Sequence, residues 1–314
     1  MHTSRAMWRL TPAVVAAAVL FCLPTANSTA APAACGQWAK QTVASGYGVL
    51  ENLAFDGRGN VLLSEQSMAG GPGALQRLDA NGGRSVAVAN VDGPGGIVVA
   101  DDHAYFNTGN SMAAAMMGSS DGTIRALNLD TGAVSTIATG LQMPNGLALL
   151  PDGDFVVSKD IGAGTLTLVS RNGEKQPYAP NLSSTNGLAF DPVRQRLIVS
   201  TTFNPTSVVT SVDFRDPARS TLQVVIPGFG PLNSADDLTV GPDGKAYVTM
   251  NVAGQVQQVD PDSGATCVVA DGLPLSSSVR FGSGPGWDPN SLYVTSFLGT
   301  LTKLTPLATW QRVS

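Results

Sequence analysis

The chain has 314 residues, with 18 Lys or Arg against 23 Asp or Glu and a formal net charge of −5. Its basic residues form no cluster, which argues against a nucleic-acid partner. After the first thirty residues no run reaches eighteen consecutive apolar positions, so no membrane span is expected in the body of the chain.

Arg5 and Arg9 give the N-terminus a basic start, and residues 12–23 form an apolar run too short to cross a bilayer. Small residues follow through Ala34. That layout predicts a secretory signal peptide over residues 1–34, with cleavage-compatible positions near Ala30 and Ala34. A retained anchor is one alternative. A lipoprotein at Cys35 is weaker, because Pro-Ala-Ala before the cysteine lacks the usual Leu. The remaining residues, 35–314, form a single domain that is secreted or otherwise extracytoplasmic. They hold two cysteines, Cys35 and Cys267, and an even pair in an exported protein predicts one disulfide. Two free buried thiols are the alternative.

Six segments then repeat one pattern: a small or polar residue, an apolar residue two places on, a short apolar run, an Asp/Gly/Pro turn and a second apolar run. They begin at Glu51, Gly95, Asn145, Asn186, Asp236 and Ser277, spaced 44, 50, 41, 50 and 41 residues apart. A further hairpin follows each of the first five, with turns such as Asn81-Gly82 and Asn172-Gly173 that favour positive φ. Four strands per repeat and six repeats predict an all-β, six-bladed β-propeller with four antiparallel strands per blade. The sixth repeat is one strand short. Residues 38–44 from the N-terminus would complete it and close the ring, with residues 309–313 as the competing candidate. N-terminal closure would bring Cys35 beside Cys267.

The first strand of each propeller blade lines the central channel, so the six starting residues converge near the axis. Glu51, Asn145, Asn186 and Asp236 offer two carboxylates and two amide oxygens, a hard-ligand set suited to a divalent cation. Ca²⁺ fits best, with Mg²⁺ or Mn²⁺ as alternatives. Asp237 would replace Asp236 if the register slipped by one, but alignment on Leu238 favours Asp236. Gly95 and Ser277 would leave two sides of the ring open for water or substrate.

Loops between second and third strands should cover the ring. They contain Glu65, Asn107, Lys159, Asp160, Thr202, Asn251 and Phe297. The longest, residues 108–122, carries a Met-rich stretch with Met116 and Met117. It reads as a lid over a partly apolar small-molecule substrate, or as a short helix packed on its own blade. Phe203 and Phe229 could add to the same wall. Lys159 would stabilise an oxyanion or pair with Asp160. His103, the one histidine after residue 34, falls on the opposite face, which leaves no candidate for a Ser-His-Asp triad.

The ring residues, set in NGLALLPDG, NGLAF and DDLTVGPDG, resemble the senescence marker protein/gluconolactonase/luciferin-regenerating enzyme family over roughly residues 45–305. The resemblance implies metal ligation by Glu51, Asn186 and Asp236, contact of Asn145 with metal or substrate, and water activation by Asp236. Sugar-lactonase members often carry an Arg where this chain has Met143, which argues against a strongly polar sugar lactone. Asn107, Met116, Met117, Met143, Asn251 and Phe297 are the candidate substrate pocket. The leading expectation is metal-assisted hydrolysis of a lactone or related ester, with Asp236 or Glu51 as base. A non-catalytic binding module with a structural metal and a strictosidine synthase-like enzyme are the alternatives.

Overall fold

Alternating apolar residues, a turn every eight to twelve residues and the lack of any long helical period leave each segment only sheet pairing as a way to bury its apolar face. A computed structural model describes residues 33–67, 71–163, 165–218 and 220–307. Six four-stranded antiparallel blades stand in a ring, confirming the six-bladed β-propeller. The innermost strands are Val49–Phe55, Ile97–Ala100, Leu147–Leu149, Thr185–Asp191, Ala235–Val240 and Ser276–Phe281. The strands pairing with them are Asn60–Gln66, His103–Thr108, Phe155–Ser158, Arg196–Thr201, Ala246–Met250 and Leu292–Ser296.

The apolar core is divided into six clusters, each shared by two consecutive blades. Leu188 and Leu197 of blade four, for example, pack on Ala148 and Val156 of blade three. A fully buried side chain of this size contributes about 1.5–3 kcal/mol, so every blade is held mainly by its two neighbours. The seam between blades six and one is aromatic. Phe55, Trp287 and Tyr293 lie with ring centroids 5.2 Å apart in each pairing.

Trp38–Ala44 pairs antiparallel with Thr300–Pro306 and supplies the fourth strand of blade six, so the N-terminal segment closes the ring. The competing residues 309–313, and residues 1–32 of the expected leader, lie outside the described residues. Ala33 and Ala34 pair in parallel with Cys267 and Val268, adding a fifth strand to blade five. Cleavage near Ala30 would keep that pairing and cleavage after Ala34 would remove it. At the Asn-Gly hairpins only the glycine has positive φ, 90° at Gly82 and 85° at Gly173. The turns are therefore not the doubly positive type.

Cys35 and Cys267 form the expected disulfide, with Cα atoms 5.2 Å apart and 232 residues between them in sequence. It ties the closing segment to blade five, where Cys35 N–H also donates to Val268 O at 2.9 Å. Closing so long a loop restricts the unfolded chain strongly. Cys267→Ser should therefore lower the free energy of unfolding by roughly 2–4 kcal/mol in urea titration. Both thiols should resist alkylation in the native protein until it is reduced. An unchanged urea midpoint would assign ring closure to strand pairing alone.

Candidate functional site at the channel mouth

Register irregularities aim the ring residues inward. The pairing of innermost with second strands breaks between Leu50 and Asn52, between Thr185 and Leu188, between Ala235 and Leu238, and between Ser276 and Val279. Glu51, Asn186, Asp236 and Ser277 occupy these breaks. In blades two and three the regular strand starts only at Ile97 and Leu147, so Gly95 and Asn145 precede it.

A side chain at the same place in each second strand holds the next blade's ring residue. Ser64 Oγ donates to Gly95 O at 2.6 Å, Asn107 Nδ2 to Asn145 O at 3.1 Å, and Ser200 Oγ to Asp236 O at 2.6 Å. Ser158 Oγ donates to Asn186 O, and Thr249 Oγ1 to Ser277 O at 2.9 Å. The sixth junction runs the other way, Ser277 Oγ donating to Leu50 O at 2.6 Å beside Thr295.

Glu51, Asn145, Asn186 and Asp236 are all buried at the channel mouth. Glu51 Oε1 accepts from Asn145 Nδ2 at 3.2 Å and from Asn110 Nδ2 at 3.0 Å. Asn145 Nδ2 also donates to Asp160 Oδ2 at 3.0 Å, and Asn251 Nδ2 donates to Asp236 Oδ2 at 3.2 Å. Asn186 Oδ1 and Asp160 Oδ1 are buried without a hydrogen-bond partner.

Asp236 and Asp237 separate cleanly. Asp237 Oδ2 accepts from Asn52 Nδ2 at 2.7 Å and from Ser278, and pairs with Arg280 Nη1 at 2.7 Å. It anchors a second polar layer, while Asp236 faces the other carboxylates, as the alignment on Leu238 anticipated.

Burial shapes the charge of this centre. It pushes Glu51 up to about 8, reinforced by repulsion from Asp160 and opposed by the amides of Asn110 and Asn145. Asp160 rises to about 7 through burial, opposed by Asn145. Burial also drives Asp236 well above the usual carboxylate range, with repulsion from Glu51, Asp160 and Asp237 adding to it. Three carboxyl groups thus share a water-poor space with amides as their hydrogen-bond partners.

Other expected site residues are placed differently. Lys159 donates to Gln142 Oε1 at 3.3 Å and, with Lys175, lines a cleft between blades two and three. The structure does not bring it to the carboxylates. Asn107 is wholly buried and spends its amide on Asn145 O and Gly146 O, tying two blades rather than lining a pocket. Met143 is buried with φ 40°, and Phe297 is half-buried with its N–H on Leu275 O. The Met-rich loop contains a helix, Met112–Met117, capped by Ser111, and leaves Met116 and Met117 exposed.

Nor do Gly95 and Ser277 leave openings. A methyl group at Gly95 would lie 2.8 Å from Asn145 O, and the Ser277 hydroxyl is committed to blade one. Asn110 and the inward role of Asp160 escaped the sequence reading. The available signal was the end of the second strand, where Asp160 and Asn251 each stand two residues after a Ser or Thr that binds the next blade.

Residues 156–297 match the family model described as the SMP-30/gluconolactonase/LRE-like region. The chain therefore carries an SMP-30/gluconolactonase-like region. That stretch includes Asp160, Asn186, Asp236 and Asn251, whereas Glu51 and Asn145 join the site through geometry. Residues 86–167 match a strictosidine synthase model. No curated protein matches the chain. Among solved structures, a gluconolactonase from Xanthomonas campestris is 17% identical, covering 86% of this chain and 90% of that one, with a TM-score of 0.66. Luciferin-regenerating enzyme is 14% identical over 87% and 96%, at 0.63. Virginiamycin B lyase from Staphylococcus aureus is 12% identical over 86% and 99%, at 0.59. At these identities the likeness is one of fold.

Raised carboxyl pKa values fix the sign of a pH effect. The folded metal-free protein holds protons that the unfolded chain releases, so these groups stabilise it at low pH. That contribution is lost as pH rises through about 7 to 8. In EDTA the melting temperature should fall between pH 6 and 8.5, and Asp160→Asn should shrink the fall. A melting temperature that rises over this range would contradict the buried-carboxyl account.

Proposed function

We propose that the ring holds a divalent cation, Ca²⁺ by preference, and that the protein is an exported hydrolase of a lactone or related ester. The observation that carries this reading is the set of buried carboxyl groups whose partners are amides, beside an amide oxygen, Asn186 Oδ1, that lacks any partner. Burying such charge without a cation is costly. Glu51, Asp160 and Asp236 share this space, but among the described residues no three His, Cys, Asp or Glu side chains are arranged to hold a metal by themselves. The donor set is instead mixed, two carboxylates with two amides. Asn186 already presents its oxygen, and Asn145 would do so after its amide turns over. Hard oxygen donors of this kind suit Ca²⁺.

When bound, the cation would polarise the substrate carbonyl and stabilise the developing oxyanion. Asp236, steadied at Oδ2 by Asn251, takes the proton of the attacking water. Glu51, held by Asn110 and Asn145, keeps the other side of the ring negative. Asn145 links Glu51 to Asp160, so a proton leaving the water has a second acceptor within the same network. The apolar N-terminal run and the disulfide support an oxidising, extracytoplasmic setting.

The strictosidine synthase match over residues 86–167 supports a second reading, a propeller enzyme of another reaction class on the same channel. A lactone and ester panel with EDTA, Ca²⁺, Mg²⁺ and Mn²⁺ separates the two. The proposal expects turnover abolished by EDTA and restored by Ca²⁺. Asp236→Asn should reduce kcat at least about 100-fold while the native melt is kept. Absence of turnover under every metal would overturn the hydrolase reading.

A further inference from the structure

The exposed apolar side chains of this protein are not scattered evenly. Innermost strands start at the ring, so loops between second and third strands, and those joining one blade to the next, share its face. Met116, Met117, Ile161, Phe203, Val252 and Leu298 are all exposed and all lie in second-to-third-strand loops. Phe229 and Leu232, also exposed, sit in the connection from blade four to blade five. Among the described residues the opposite face exposes only Val193 and Leu307 of this class.

The same loops deliver the polar centre. Ile161 follows Asp160, and Val252 follows Asn251. The helix bearing Met116 and Met117 begins two residues after Asn110. Phe203 N–H donates to Ser184 Oγ at 2.8 Å, two residues before Asn186. Leu232 stands four residues before Asp236. Asn110, Asp160 and Asn251, which bond the centre, therefore each have an exposed apolar residue on their own loop. Met116 and Met117 are 83% and 77% exposed, a cost in water that burial against a ligand would recover.

We propose that these residues form an apolar collar for the alkyl or acyl chain of an amphiphilic substrate whose carbonyl head reaches the ring. The inference rests on the hydrolase reading and names its substrate class. A polar centre inside an apolar rim complements a molecule with one polar end and one hydrocarbon end. An anionic lipid surface fits less well, because the buried carboxyl groups and the net charge of −5 oppose it. Met143, two residues before Asn145, is buried and apolar and offers no charge there for a sugar phosphate.

The test uses the Ca²⁺-loaded protein and γ-butyrolactone, γ-octalactone and γ-dodecalactone. kcat/KM should rise about two- to fourfold per added methylene until the collar is filled. In Met116→Ser/Met117→Ser and in Phe203→Ser, the dodecalactone-to-butyrolactone ratio of kcat/KM should fall about tenfold. These positions are exposed, and a thermal melt checks that the variants fold. A flat series in the unmodified protein, or an unchanged ratio in both variants, overturns the collar. Binding of N-dodecyl dansylamide, followed by its fluorescence, reads the collar without turnover. If no lactone is hydrolysed but the probe binds and the variants lose it, the hydrolase reading falls and the collar stands. Absence of probe binding, with phosphatidylcholine vesicles sedimenting the protein instead, overturns the proposal in favour of a lipid-docking face.

Discussion

The site depends on one interaction repeated around the ring: a polar side chain at the end of a second strand donating to the main-chain carbonyl of the next blade's ring residue. Ser64, Asn107, Ser158, Ser200 and Thr249 all do this. Each bond contributes only about 1 kcal/mol, yet each is buried and fixes the backbone from which a ring side chain projects. Blade packing sets the spacing of the blades. These bonds set the rotation of Asn145, Asn186 and Asp236 about the axis, so the geometry of the ring is a product of inter-blade contact.

The position after each ring residue shows the cost of that close approach. At Gly96, Gly146 and Gly187 an added methyl would fall 2.3–2.6 Å from the next blade. Neither Gly146 nor Gly187 has positive φ, so the Asn-Gly pairs are there for packing and not for turns. Across the channel the equivalent places hold Asn52, Asp237 and Ser278, which bond to one another and to Arg280. Below the mouth lies a polar plug paired with Arg280; at the mouth lie carboxyl groups with no cationic side chain beside them. The contrast between two adjacent aspartates, one paired with Arg280 and one facing Glu51, concentrates the chemistry in a single layer.

Much of this was legible in the sequence because the repeat spacing carries it. Glu51, Asn145, Asn186 and Asp236 share one repeat position, and a ring fold brings equal positions together. The closing strand Trp38–Ala44 and the Cys35–Cys267 bond were legible for the same reason: the sixth repeat lacks a strand. What escaped was side-chain direction outside the repeat position itself. Lys159 and Asp160 are neighbours just past the strand Phe155–Ser158, yet one reaches outward to Gln142 and the other inward to Asn145. Asn107 looked like a mouth residue because its strand position ends near the ring, but it replaces the Ser or Thr of the inter-blade tie. Asn110 meets Glu51 from 59 residues away, a pairing that no local pattern encodes.

The central claim is that the buried carboxyl groups of this ring are completed by a divalent cation. Raised pKa values make binding and proton release inseparable, because the ligands must be ionised to bind. Calorimetric titration of Ca²⁺ into metal-free protein at pH 7, in buffers of differing ionisation enthalpy, counts those protons. The account predicts binding of one cation with release of about one proton or more, both lost in Asp236→Asn. Absence of binding, or binding without proton release that survives this substitution, would contradict it.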